Sequence, residues 1–163
     1  MFKRLLVLPL VLLLFCGCSQ KRSTRPILNN ISFVAQIDYC DNSFICDATV
    51  TESNLKLVVN EPDKIKGLTF VADKNGISAE FMGISYNPNI NNLSQGVLVK
   101  LLFNIFTDIS NNEFASCDGD NCKISGRVDN YKYVFYFSPT GLPICLEVAT
   151  INLKIDFKNV TVN

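Results

Sequence analysis

The stretch SQGVLVKLLFNIFTDIS, residues 94–110, decides the fold, because it alone carries a helical period in a chain that otherwise alternates. Leu98, Leu101, Leu102, Ile105, Phe106 and Ile109 recur at i, i+3, i+4, i+7, i+8 and i+11, which is one stripe of an α-helix. Lys100, Asn104 and Asp108 take the opposite side. Ser94 supplies an N-cap, and Asn111-Asn112 end the helix after about four turns.

Outward from this helix the period is two on both sides. Towards the N-terminus, Ile31, Phe33, Ala35, Ile37 and Tyr39 share one face, and Cys46, Ala48 and Val50 continue it after a loop at residues 40–45. Leu55, Leu57 and Val59 follow, then Leu68, Phe70 and Ala72 after a break at Pro62 and Gly67. Asn75-Gly76 reads as a two-residue hairpin turn, which sets Ala72 opposite Ala79 and Phe70 opposite Phe81. Towards the C-terminus, Asp129-Asn130 closes a hairpin that opposes Val128 with Tyr131, Gly126 with Tyr133 and Ile124 with Phe135. The turn at residues 138–141 opposes Phe137 with Leu142, Phe135 with Ile144 and Tyr133 with Leu146. A last turn near residues 149–152 brings Leu153, Ile155 and Phe157 onto the same face. The expected class is mainly β (α+β): a curved antiparallel sheet of about nine strands in two meanders, five then four, wrapping one amphipathic helix.

Nine strands about 4.8 Å apart make a sheet on the order of 40 Å wide. A helix about 10 Å across covers two or three of them. The apolar face therefore either curls into a barrel filled by its own Phe and Tyr side chains, or leaves a hollow for a ligand. The residues expected to line such a hollow are Phe33, Ile37, Phe70, Phe81, Phe106, Tyr133, Phe135 and Leu146.

The first eighteen residues have another character. Lys3 and Arg4 precede an apolar run, Leu5–Phe15, that is too short to span a bilayer, and Gly17-Cys18 follows at once. This arrangement resembles the lipobox of bacterial lipoproteins, although Phe15 stands where that family prefers Leu. An ordinary secretory signal is the alternative. The resemblance implies a signal peptide over residues 1–17, acylation of Cys18, a flexible tether over residues 18–30 and a single domain over residues 31–163. It places the protein on the extracytoplasmic face of a bacterial membrane, its membrane partner engaged through a diacylglyceryl anchor. Loss of the signal leaves 146 of the 163 residues, with Lys3 and Arg4 removed and a net charge of about −2. The order of elements, with Pro62 and Gly67-Leu68 before a hairpin, is similar to that of small lipoproteins with a LolA/LppX-like half-barrel. That likeness implies carriage of a lipid or other apolar ligand.

Composition narrows the chemistry. Histidine is absent, which removes the commonest general base and the commonest zinc ligand, and no G-x-S-x-G elbow is present. No enzyme activity, cofactor or metal is expected. Asp118, Asp120 and Asn121 lack the remaining ligands of a calcium loop and read as a solvated turn. No basic footprint for nucleic acid exists. Five cysteines follow Cys18. Cys117 with Cys122 and Cys40 with Cys46 are the candidate disulfides, with free thiols as the alternative, and Cys145 is left over. Two functions stand at this point: a binder of an apolar ligand, or an envelope protein with a filled core that docks a protein partner.

Overall fold

The computed structural model describes residues 23–86, 94–111 and 115–163; Cys18 and the expected signal lie outside them. The strands are β1 (Ser23–Thr24), β2 (Ile31–Tyr39), β3 (Asn42–Val50), β4 (Asn54–Glu61), β5 (Thr69–Asp73), β6 (Gly76–Phe81) and β7 (Ile84–Tyr86). After helix α1 (Ser94–Asn111) come β8 (Ala115–Asp118), β9 (Asn121–Val128), β10 (Tyr131–Phe137), β11 (Pro143–Val148) and β12 (Leu153–Val162). The described residues thus form a 12-stranded antiparallel sheet, or eleven strands without the two-residue β1, where about nine were expected. The additional pieces are short edge strands, too brief for alternation to announce them.

Strand order is β1-β8-β9-β10-β11-β12-β2-β3-β4-β5-β6-β7. Two meanders are therefore joined where β12 pairs with β2, Ile155 opposite Ile37 and Phe157 opposite Ala35. Curvature follows from chain length. Thr24 and Ile31 are seven Cα steps apart, at most about 25 Å. Yet β1 and β2 lie six strand positions apart, about 29 Å in a flat sheet. The C-terminal meander must curl to let the chain across. Helix α1 leads from the β7 edge to the β8 edge and packs in the concavity against β4, β5 and β6 on one side and β9 on the other. Among the described residues, no helix is long and apolar enough to cross a membrane.

The apolar stripe of α1 is buried as its spacing requires: Leu98, Leu101, Leu102, Ile105, Phe106 and Ile109, joined by Val99. Its polar side is partnered as well. Lys100 Nζ donates to the Asp73 carbonyl, and the Tyr133 hydroxyl donates to the Asp108 carboxylate.

Three expected features are corrected. The hairpin near Asn75 turns on Lys74-Asn75, so Ala72 faces Ile77 and Phe70 faces Ala79. Both registers bury the same face, so apolar pattern cannot choose between them. The Asp73 carboxylate chooses, accepting from the amides of Asn75 (2.7 Å) and Gly76 (3.0 Å). At the β10–β11 turn the register shifts between Tyr136 and Phe137, setting Phe135 opposite Leu146 and leaving Ile144 47 % exposed. The bulge is fixed by Ser138, whose amide donates to the Leu142 carbonyl and whose hydroxyl accepts from the Leu142 amide. The third correction concerns residues 23–30, expected to be part of a flexible tether. Instead β1 pairs with β8, the Ile27 amide donates to the Gly141 carbonyl at 2.8 Å, and Leu28 is buried. The Asp129-Asn130 hairpin pairs Val128 with Tyr131, Gly126 with Tyr133 and Ile124 with Phe135, the register its turn chemistry requires.

Candidate functional site

The interior is not uniformly filled. Along β9–β12 the inward residues are large: Tyr133, Phe135, Phe137, Leu146, Val148 and Ile155 are all nearly inaccessible. The aromatic rings stack around them, Phe135 on Phe137 at 5.9 Å and Phe33 edge-on to Phe157 at 5.0 Å. Under the middle of α1, between Phe33, Leu55, Leu102, Phe106 and Phe157, only about 10 Å³ remains, at most the room for one water. This half of the concavity is closed by its own side chains.

The other half is lined by smaller residues. Inward positions of β3–β6 include Cys46, Ala48, Ala72 and Ala79. Above them, near the first turns of α1, a cleft of about 190 Å³ opens. Its floor is Ile37, Cys46, Leu57, Val59 and Phe70, and its rim includes Phe44, Ile65, Leu68, Tyr86 and the helix residues Leu98 and Val99. Only the Cys46 thiol and the Tyr86 hydroxyl interrupt an otherwise hydrocarbon wall. Burial, reinforced by the adjacent Asp47 carboxylate, pushes the Cys46 thiol up to about 12, so it is neutral. The cleft wall carries no charge at neutral pH. It suits an apolar group, since a polar one would be desolvated there without partners.

Of the eight residues expected to line a hollow, Ile37 and Phe70 line this cleft, and Phe106 borders a second one at the far end of α1. Phe33, Phe106, Tyr133, Phe135 and Leu146 belong to the packed core, and Phe81 is half-buried on β6, outside that core. Phe44, Ile65, Leu68 and Tyr86 went unanticipated because they lie at strand ends or in the connection after β4, where alternation fades. Of the small inward residues of these strands only Cys46 lines the cleft, so no run of small side chains marks it in the sequence.

The cysteines divide by position. Cys117 and Cys122, directly opposite across the β8–β9 hairpin, are disulfide-bonded. The expected Cys40–Cys46 link is corrected. Tyr39 pairs with Asn42, which puts Cys40 in an exposed two-residue turn while Cys46 pairs with Ala35 and is buried. Cys145 is free and buried beside Asp156. Burial and the hydrogen bond to that carboxylate push its thiol up to about 12. Among the described residues no three His, Cys, Asp or Glu side chains gather in a metal-binding group. A second cleft, of about 250 Å³ and mixed polarity, lies at the far end of α1 between Asn29, Thr51, Glu52, Thr107, Ser110 and Asn111.

No family model matches the chain, and no curated protein matches it. One solved structure is similar in shape. It is a LolA superfamily protein from Nitrosomonas europaea, 8 % identical, with a TM-score of 0.43 over 85 % of this chain and 88 % of that one.

Proposed function

We propose that this protein is a non-enzymatic, extracytoplasmic lipoprotein, anchored through Cys18, whose cleft takes an apolar ligand such as one end of an acyl chain. The observation that carries the reading is the uncharged cleft of about 190 Å³, with nine of its eleven lining side chains pure hydrocarbon. A cavity of about 150 Å³ lined by Leu, Ile and Phe stays dry and takes benzene. By that scale this cleft has room for roughly six to eight carbons. It would hold part of an acyl chain and leave the headgroup outside, where Tyr86 and the polar connection Pro62–Gly67 lie. Native mass spectrometry of the full chain, extracted in mild detergent, tests the reading. An apolar adduct is expected on wild-type protein and absent from Val59→Phe, which fills the cleft floor. Wild-type protein that stays ligand-free when fatty acid is added would sink it.

The second reading, docking of a protein partner, is favoured by one feature. The β6–β7 hairpin exposes Met82 (85 %) and Ile84 (70 %) at the sheet edge. Under that reading Met82→Ser with Ile84→Ser abolishes partner capture and leaves fatty-acid binding intact.

A further inference from the structure

Residues 23–29 do more than lead into the fold. They form a strap. β1 adds to the edge of β8, with Ser23 opposite Ser116 and Thr24 opposite Ala115. The chain then passes the β10–β11 turn so closely that a Cβ on Gly141 would sit 2.6 Å from the Arg25 carbonyl oxygen. Leu28 enters the core, and Asn29 lines the mixed cleft beside Ser110 and Asn111, in the last turn of α1. Four residues, 19–22, stand in the sequence between Cys18 and Ser23, the first residue of β1. Five Cα steps from Cys18 to Ser23 reach at most about 17 Å.

Helix α1 serves as a ruler between the strap and the ligand cleft. The strap ends beside Asn111, while the cleft is walled by Leu98 and Val99. Twelve residues at 1.5 Å rise put them about 18 Å apart. Strand direction agrees. The turns 51–53, 74–75, 118–121 and 138–141, with the C-terminal Asn163, occupy one rim of the sheet. The turns 40–41, 62–68, 82–83, 129–130 and 149–152 occupy the other. The first rim is polar at every turn tip: Thr-Glu-Ser, Lys-Asn, Asp-Gly-Asp-Asn and Ser-Pro-Thr-Gly. The second also has polar turns, Asp129-Asn130 among them, but it alone carries the cleft and its apolar borders Phe44, Ile65 and Leu68. β1 runs with Ser23 towards the Asp118–Asn121 turn, on the first rim.

We infer that the polar rim is the surface that faces the lipid headgroups, and that the strap holds the apolar cleft on the opposite rim, turned away from the bilayer carrying the anchor. The inference rests on acylation of Cys18 from the proposed function. The exposed Met82 and Ile84 would favour the reverse orientation by burying apolar area, but they stand on the cleft rim, beyond the reach of so short a connection.

The test uses the full-length acylated protein in phosphatidylcholine–phosphatidylglycerol vesicles containing a headgroup-linked acceptor dye. The native Cys40, exposed while Cys46 and Cys145 are buried and the remaining described pair is disulfide-bonded, takes a donor dye on the cleft rim. Ser53→Cys and Thr140→Cys, each combined with Cys40→Ser, carry the donor on the polar rim. Energy transfer at residues 53 and 140 should exceed that at Cys40 by about threefold, since a nine-residue strand such as β2 separates the rims by about 30 Å. Insertion of twenty Gly/Ser residues between Arg22 and Ser23, with a mean span of about 25 Å, should erase the contrast. Equal or reversed transfer in acylated wild-type protein overturns the orientation while leaving the anchor intact, as does a contrast unchanged by the insertion. Intact mass showing no acyl group on Cys18 overturns the anchor itself, and the orientation with it.

Discussion

The two wings of the sheet share one period and one helix, yet one is full and the other is open. In the β9–β12 wing, Tyr133, Phe135 and Phe137 stand on one strand and reach across to Leu146, Ile155 and Phe157. In the β3–β6 wing the inward positions mix small residues, Cys46, Ala48, Ala72 and Ala79, with large ones, Leu55, Leu57, Val59 and Phe70, and a cleft stays open beside the first turns of the helix. The open space lies at the rim, bordered by Phe44, Ile65, Leu68 and Tyr86; of the small inward residues only Cys46 lines it.

That comparison is open to attack with substitutions, the most costly first. Phe135→Ala, in the full wing, should lose about 4 kcal/mol of stability in denaturant unfolding, because its rigid neighbours cannot collapse on the void. Phe70→Ala, at the cleft, should lose about 2 kcal/mol, since one side of that ring already faces open space. Equal losses would contradict the contrast. Next is Gly126→Ala. Gly126 lies opposite Tyr133, whose ring covers it so closely that an added Cβ would meet the hydroxyl oxygen at 2.4 Å and Cζ at 2.5 Å. That ring is buried and tied to Asp108, so overpacking should cost about 2 kcal/mol. Val59→Phe should change stability by less than about 1 kcal/mol, because the cleft accepts the added ring.

The last test concerns the thiols and is confined to high pH. Cys46 and Cys145 keep their protons in the fold up to about 12, while an unfolded thiol loses its proton near 9.0. Between those values the unfolded state binds fewer protons, so stability falls as pH rises from about 9 towards 12 and is unaffected below that window. Cys46→Ala should flatten part of the decline in thermal unfolding. In the wild-type protein at pH 8, a thiol reagent should modify Cys40 quickly and the two buried cysteines only on unfolding.

Much of this fold was legible in the sequence, and the illegible parts have physical reasons. The stripe Leu98 to Ile109 marks its helix without ambiguity, and Asp129-Asn130 fixes a register because its strands begin at once on either side. Near Asn75, two registers two residues apart bury the same side chains, and only the Asp73 carboxylate separates them. At Ser138 a bulge turns Ile144 outward, and a bulge breaks the alternation from which register is read. The closing pair β12–β2 joins residues more than a hundred positions apart, with no turn between them to signal it. The cleft escapes the pattern because its borders, Phe44, Ile65, Leu68 and Tyr86, come from strand ends and from the connection after β4, where alternation carries no signal.

The central claim, that the β3–β6 wing is a container for hydrocarbon, is tested most directly by titrating the full-length protein with straight-chain fatty acids of four to twelve carbons. Each buried methylene contributes about 0.8 kcal/mol, roughly a fourfold gain in affinity. The account predicts that affinity climbs by that factor per carbon up to about eight carbons and then levels, and that Val59→Phe flattens the whole series. Absence of binding, or a climb that continues unchanged through twelve carbons and is indifferent to Val59→Phe, would contradict it.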